Sequence, residues 1–284
     1  ILGTCSNDNY HVKNVIKTII LQKIKPKEVI LVDSGDKNNY ETYVEFFKSK
    51  NIDFVYVYKK LPRVKALNLA IDKVTSDFCF RFDTRTRFDS SYAEESLKIL
   101  LNKKTNLFFV GGVPEVIPED ESLTSMLCSE IMRRSYVFFY PRHRRIGYSG
   151  YASSIYLGCF KTSILKKIKY REDTFLISED SLLASDFISQ NYKLWLSSNI
   201  KLRYVARSSL VNIFRLFNTY GFCRFNTIFS SGKLHSKKRY LLLIIASLSY
   251  FIISFKYWPY PIFVFPFVLI FINIFGELFQ KNFS

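Results

Sequence analysis

Apolar positions in the first part of the chain alternate between two periods. Val12, Val15, Ile16, Ile19 and Ile20 fall at helical spacing, and the run Glu28-Val-Ile-Leu-Val-Asp33 that follows is short, continuous and rich in branched side chains. The first pattern predicts an amphipathic helix and the second a strand buried on both faces. The alternation continues with a helix over Thr42–Lys48, a strand over Phe54–Tyr58 and a helix over Val64–Val74 that carries Val64, Leu67, Ile71 and Val74 on one face. A strand over Phe78–Asp83, a helix marked by Ala93, Leu97, Leu100 and Leu101, and a strand over Asn106–Val110 ahead of Gly111-Gly112 complete it. Repeated βαβ units predict an α/β fold with a mostly parallel sheet covered by helices, in which ligands lie at the carboxyl ends of strands. Asp33 and Asp83 stand at two such predicted ends.

The pattern changes towards the C-terminus. Residues Lys201 to Arg239 hold nine Lys or Arg and no acid, and from Tyr240 to Gly276 the single charge is Lys256. Pro259 and Pro261, beside Lys256, Tyr257 and Trp258, interrupt helical hydrogen bonding where headgroup-seeking residues cluster, so the apolar block reads as two helices joined at a membrane interface. The first, Tyr240–Phe255, is short against the roughly 20 residues that span a bilayer and the second, Ile262–Phe279, is close to that length, which predicts a C-terminal transmembrane or membrane-embedded helical hairpin, the alternative being a core hairpin buried in a soluble protein. Basic residues ahead of it place the preceding domain on the cytoplasmic side, at an inner membrane.

Composition narrows the partners. The chain has 284 residues, is 48% hydrophobic and carries a net charge of +17, which excludes a disordered chain and favours phosphate-bearing partners: nucleotides, nucleic acid or anionic lipid. Its five cysteines, Cys5, Cys79, Cys128, Cys159 and Cys223, are odd in number and scattered, as expected of a reducing compartment. His143 has no His or Cys at metal-ligand spacing and Cys159 has no adjacent base, which argues against zinc and cysteine-nucleophile chemistry.

Three acidic features carry the candidate chemistry. Asp33 and Asp83, if they converge on one crevice, can hold a metal ion, a base or a ribose hydroxyl, although a strand-end Asp alone is commonly a turn cap. Ser178-Glu179-Asp180 precedes Leu182, Leu183, Phe187 and Ile188, the pattern of a capped helix; an Asp at its start can cap the helix or accept a proton from an attacking hydroxyl.

At these residues the sequence resembles the family 2 glycosyltransferases, inverting nucleotide-sugar enzymes of the GT-A fold. The matching features occur in family order: Ile1-Leu-Gly-Thr-Cys-Ser-Asn7, Leu21-Gln22, Val32-Asp33-Ser34-Gly35, Asn68, Arg81-Phe82-Asp83 and Ser178-Glu179-Asp180. Further likeness, to the membrane-associated enzymes of succinoglycan-type exopolysaccharide synthesis, rests on Gly111-Gly112-Val113, Tyr156-Leu-Gly-Cys-Phe160, Tyr204-Val-Ala-Arg207-Ser-Ser-Leu210, Tyr220-Gly221 and the apolar tail. The resemblance implies that Asn7 and Asp33 line the base and ribose, that Asn68 supports that pocket, that Asp83 faces the donor diphosphate and a divalent cation (Mg or Mn), and that Asp180 is the catalytic base. It implies a nucleotide diphosphate sugar donor, a lipid-linked glycan acceptor and no nucleic-acid partner.

Two departures modify this. The family's Asp-x-Asp is Asp83-Thr84-Arg85 here, so one potential metal ligand is a cation, and Arg85 or Arg87 becomes a candidate for direct phosphate contact. Where relatives carry Arg-Gln before Tyr-Gly, this chain has Arg215-Leu216. The segment Arg133-Arg134 through Arg142-His143-Arg144-Arg145, interleaved with Tyr136, Phe138, Phe139 and Tyr140, resembles a nucleic-acid patch but lies where the family places acceptor contacts. The resulting organisation is a nucleotide-sugar-binding half over 1–110, an acceptor half with the catalytic base over 111–205, basic membrane-interface helices over 206–239 and the hairpin over 240–279. The alternative is a non-catalytic nucleotide-binding membrane scaffold of a polysaccharide assembly complex.

Overall fold

The computed structural model describes residues 2–4, 8–48, 50–102, 107–135, 146–172 and 178–231. Its elements, in order, are β1 (Leu2–Thr4), α1 (Asn9–Ile20), β2 (Glu28–Asp33), α2 (Tyr40–Val44), β3 (Asp53–Tyr58), α3 (Arg63–Lys73), β4 (Phe78–Phe80), β5 (Thr86–Phe88), α4 (Tyr92–Leu100) and β6 (Leu107–Gly111). There follow β7 (Pro114–Ile117), α5 (Leu123–Ser135), β8 (Gly150–Tyr151), β9 (Gly158–Lys161), α6 (Thr162–Ile168), α7 (Glu179–Ser189), β10 (Lys193–Leu196), β11 (Leu202–Val205) and α8 (Leu210–Ser231).

Strand β2 lies between β1 and β3, parallel to both. Its two faces explain its unbroken apolar run: Ile30 and Val32 join Ala66, Leu67, Ala70 and Ile71 of α3 in one core, whereas Val29 and Leu31 join Val12, Val15, Ile16 and Ile19 of α1 in another. Asp33, the last residue of β2, is thereby carried to the strand's carboxyl end.

Beyond β3 the expected mostly parallel sheet gives way to mixed ones. The central sheet runs β4-β9-β6-β10-β8; β6 and β10 are parallel, but β9 lies antiparallel between β4 and β6, and β8 is antiparallel to β10. A third sheet, β5-β11-β7, pairs β11 antiparallel to β5 and parallel to β7. An apolar run shows that a strand is buried and carries no mark of its direction, which explains the difference. The 110/111 boundary falls inside β6, and the central sheet interleaves strands from both sides of it.

Glycine makes this interleaving possible at β6. A Cβ on Gly111 would collide with the Leu157 carbonyl oxygen, and one on Gly112 with the Ile200 carbonyl oxygen. Against the tightly apposed strands β6 and β9, Phe109 stacks on Phe160 with ring centroids 3.8 Å apart, and Phe187 of α7 closes the cluster. Helix α7 is thus anchored to the central sheet by Leu183, Ala184 and Phe187, while Ile188 is exposed.

Strand β4 is shorter than expected, because its pairing to β9 ends at the hydrogen bond from Arg81 N to Gly158 O. The chain then turns, with Thr86 N donating to Asp83 O, so Asp83 sits in the connection between β4 and β5 rather than at the tip of a parallel strand. Gln22, just past α1, is tied to the end of β5 and the start of α4: its Nε2 donates to Asp89 O at 2.8 Å and its Oε1 accepts from Ala93 N at 2.9 Å.

Helices α5 and α8 pack on each other through Cys128, Met132, Ile213, Leu216 and Phe217. The described cysteines, Cys79, Cys128, Cys159 and Cys223, are free and buried. Among the described residues no helix is long and apolar enough to cross a membrane. The apolar block 240–279, and with it the expected hairpin, lies outside the described residues, as do Asn7 and the basic segment 136–145.

Candidate active site

Five charged side chains form one linked row. Arg81, immediately after β4, is 2% exposed at its side chain, and its guanidinium faces the first two residues of α7. Its Nη1 donates to Asp180 Oδ1 and, at 2.9 Å, to the Tyr170 hydroxyl; its Nη2 donates to Glu179 Oε1 at 3.2 Å. Arg63, the first residue of α3, continues the row by donating from Nε to Glu179 Oε1 at 3.0 Å and from Nη2 to Asp83 Oδ2 at 2.8 Å. The order is therefore Asp83, Arg63, Glu179, Arg81, Asp180. These residues come from α3, from the end of β4 and the connection after it, and from the start of α7.

The row sets the three carboxylates apart. Burial alone would push Asp83 up, but Arg63 and Arg81 hold it below the usual carboxylate range, and the same two guanidiniums do this for Glu179. Asp180 behaves oppositely. Burial, with Arg81 only partly offsetting it and the Glu179 charge adding to it, pushes its carboxyl up to about 6. One row thus holds two carboxylates kept ionised and one poised to exchange a proton near neutrality.

Asn68 supports this row through Tyr170. Its Nδ2 donates to Tyr170 O at 2.8 Å, its Oδ1 accepts from Tyr170 N at 2.9 Å, and Nδ2 also donates to Glu172 Oε1 at 2.8 Å. The amide thereby fixes the backbone of the tyrosine whose hydroxyl meets Arg81. Asp33 is committed locally: Oδ1 accepts from Gly35 N and Oδ2 from the Tyr56 hydroxyl, each at 2.8 Å.

Arg85 and Arg87 are spent elsewhere. Arg85 Nη1 donates to Glu119 Oε2 at 3.4 Å and to Ala206 O at 3.3 Å, and its Nη2 lies 3.7 Å from Asp8 Oδ2. Arg87 donates to Thr84 O at 2.9 Å and to His11 Nδ1 at 2.9 Å. Because an arginine only donates, His11 Nδ1 accepts and its Nε2 donates to Glu119 Oε1 at 2.8 Å. Burial and the Arg85 charge lower the His11 pKa, consistent with a neutral ring. Only the backbone N of Arg85 approaches Asp83, at 3.4 Å from Oδ1. The Arg85 ion pairs and the Arg87 hydrogen bonds tie β5 and its preceding turn to α1 and the segment after β7.

The side chains do not, as they stand, fit a divalent cation held by the protein. Asp83 has its Oδ2 on Arg63, the residue two places on is a cation, and among the described residues no three His, Cys, Asp or Glu side chains converge.

Comparison with known proteins assigns the chain. The family model described as "Glycosyl transferase family 2" matches residues 5–168, more than half of the chain. The chain belongs to glycosyl transferase family 2. The match contains Asp33, Arg63, Asn68, Arg81 and Asp83; Tyr170, Glu179 and Asp180 lie beyond its end at residue 168. Among curated family 2 relatives, the chain is 23% identical over 204 residues to the dolichyl N-acetyl-alpha-D-glucosaminyl phosphate 3-beta-D-2,3-diacetamido-2,3-dideoxy-beta-D-glucuronosyltransferase of Methanococcus voltae, covering 68% of this chain and 62% of that one. It is 27% identical over 184 residues to the poly-beta-1,6-N-acetyl-D-glucosamine synthase of Staphylococcus epidermidis, covering 63% of this chain and 43% of the relative. The aligned region therefore spans less than two thirds of either relative. Solved structures with the same fold include the mannosyltransferase PcManGT from Pyrobaculum calidifontis in complex with GDP-Man and Mn2+, at TM-score 0.52 and 14% identity over 99% of this chain and 86% of that one. They also include S. aureus TarS 1-349 in complex with UDP-GlcNAc, at TM-score 0.51 and 12% identity over 80% of this chain and 65% of that one. The fold is GT-A-like α/β with mixed sheets.

Sequence reasoning missed Arg63 and Tyr170 and gave Arg81 no role of its own. A buried cation among the apolar residues of Phe78-Cys-Phe-Arg-Phe82 was a usable signal for Arg81, since such a charge requires acidic partners. Arg63 had no comparable signal.

Proposed function

We propose that this family 2 chain is an inverting glycosyltransferase that moves a sugar from a nucleotide diphosphate sugar to a lipid-linked glycan, on a polyprenyl diphosphate, in cell-surface polysaccharide synthesis. The observation that carries the reading is Asp180: a carboxylate 25% exposed, pushed up to about 6, at the start of a helix and at the opposite end of the charged row from Asp83. A sugar hydroxyl is a poor nucleophile at neutral pH and needs a base that accepts its proton as it attacks. In the reaction the acceptor oxygen bonds to the anomeric carbon as the bond from that carbon to the donor phosphate oxygen breaks. The electron pair of the broken bond leaves with the nucleoside diphosphate, and the hydroxyl proton passes to Asp180. Residues 1–110 supply the donor side and 111–205 the acceptor side. The nucleotide-sugar complexes of the two solved structures with this fold support the donor class, and the dolichyl phosphate named for the Methanococcus voltae enzyme supports a lipid-phosphate acceptor.

The test is a donor screen on membranes from cells producing the chain, reading nucleoside diphosphate release with each common nucleotide sugar. Release with one donor, enhanced by added lipid-linked glycan, is expected. Silence with every donor would leave the nucleotide-binding scaffold instead.

The same reading places the protein on the cytoplasmic face of an inner membrane. Leu123, Met126 and Leu127 of α5 and Leu210, Val211, Phe214, Tyr220 and Phe222 of α8 leave apolar side chains exposed on two mutually packed helices. The acid-free basic stretch 201–239 and the apolar block that follows it add charge attraction and hydrophobic burial. The intact chain should stay with membranes in high salt and a chain ending at Arg239 should be released. Equal retention of the shortened chain, together with wash-off of the intact one, would reject the hairpin as the anchor.

A further inference from the structure

We propose that Arg63 receives the donor diphosphate in this chain, occupying at Asp83 the role of a bridging divalent cation, and that Arg63 and such a cation compete for that carboxylate. The proposal rests on the donor-site reading above and adds the group that neutralises the diphosphate.

Arg63 is the member of the row most open to solvent. Its side chain is 47% exposed, whereas the carboxylates it holds, Asp83 and Glu179, are 16% and 19% exposed. Nε and Nη2 are used on those two acids, and Nη1 has no hydrogen bond among the described residues. The guanidinium is therefore fixed on one side and retains donors on the other, an arrangement suited to paired phosphate oxygens. The neighbouring arginines lack this. Arg81 is enclosed by Tyr170, Glu179 and Asp180; Arg85 is turned to Glu119, Ala206 and Asp8; Arg87 is turned to His11 and Thr84.

Electrostatics gives the arrangement its purpose. Asp83 without a partner would repel a diphosphate, so a cation must cover it before the donor binds. A divalent ion bridging carboxylate and phosphates would do this, and so does Arg63, whose Nη2 lies 2.8 Å from the same oxygen. Two cations side by side on one carboxylate repel each other, so each weakens the other's hold on Asp83. Removing Arg63 should uncover a carboxylate that a metal can then use.

The experiment titrates UDP, and GDP in parallel, into the full-length chain in detergent, with EDTA and then with MnCl2. The native chain should bind one of them with similar affinity in both conditions. Arg63→Ala should weaken that binding about 10- to 100-fold in EDTA, the worth of one or two charge-assisted hydrogen bonds, and Mn2+ should restore most of it. Arg63→Lys should lose less, and the matching nucleoside should bind equally to all variants. Should the alanine chain fail to fold, Arg63→Gln, which retains a hydrogen-bond donor for the acids, is expected to show the same metal rescue. Loss of native binding in EDTA would overturn the proposal in favour of a metal bridge. Undiminished binding by Arg63→Ala in EDTA, or equal loss of nucleoside and nucleotide, would overturn it as well. A native chain that binds neither nucleotide in either condition would remove the donor-site reading and this proposal with it.

Discussion

Asp180→Asn should lower the transfer rate by about 10²- to 10⁴-fold, the usual worth of a general base, while nucleotide affinity and melting temperature hold. The asparagine keeps an oxygen to accept from Arg81, and Tyr170 and Glu179 still enclose that guanidinium. Because the folded carboxyl is raised to about 6, the folded chain favours the neutral side chain more than the unfolded chain does. An uncharged Asn at neutral pH therefore removes a charge that opposes folding, and stability should not fall. The same shift sets a pH profile. The base works only when ionised, so kcat/KM should decline on the acid side of pH about 6, approaching a tenfold loss per pH unit. Stopped-time assays of nucleoside diphosphate release across pH, with thermal melts of both proteins, check this. A variant that transfers at the native rate, or that loses stability and nucleotide affinity together, would make Asp180 a structural residue.

Arg81→Met should cost about 3–5 kcal/mol of folding stability, the penalty for stripping one partner from a buried ion-pair network. Arg81 is 2% exposed and is the link between Glu179 and Asp180, so its loss leaves two adjacent carboxylates at the head of α7 with Arg63 alone to compensate them. Arg81→Lys, which keeps the charge but not the fork, should fold with a smaller loss and carry the informative readout. Arg81 is what opposes the effect of burial on Asp180, so weakening that pairing should move the acid limb of kcat/KM to higher pH. A melting temperature unchanged in Arg81→Met, or an acid limb in Arg81→Lys that coincides with the native one, would show that Arg81 does not position the base.

The acids of this site were legible before the fold was known, and their partners were not. Ser178-Glu179-Asp180 reads as a helix start because the apolar residues behind it have helical spacing, and α7 begins at Glu179. Asp33 closes β2 as its hydrophobic run indicated. Asp83 departs from expectation because β4 stops at Phe80 and the chain turns, a change made by pairing with β9, a strand that lies far along the chain. Arg85, like Arg87, is a candidate for phosphate contact through its nearness to Asp83 in sequence; the turn between Asp83 and Arg85 brings the Arg85 guanidinium to Glu119 and Asp8.

What the sequence by itself determined about this protein is local: the alternation of helices and strands through the first hundred residues, the acids at the end of β2 and the start of α7, and the family in whose order the motifs fall. These follow from period and turn chemistry, which act over a few residues. The tertiary structure alone decided strand direction in the mixed sheets and the partners of each charge. Arg63 lies 20 residues from Asp83 and 116 from Glu179, and Arg81 lies 99 from Asp180. Ion pairing depends on distance through space, and the folding of α3, β4 and α7 onto one cluster shortened those separations to hydrogen-bond length.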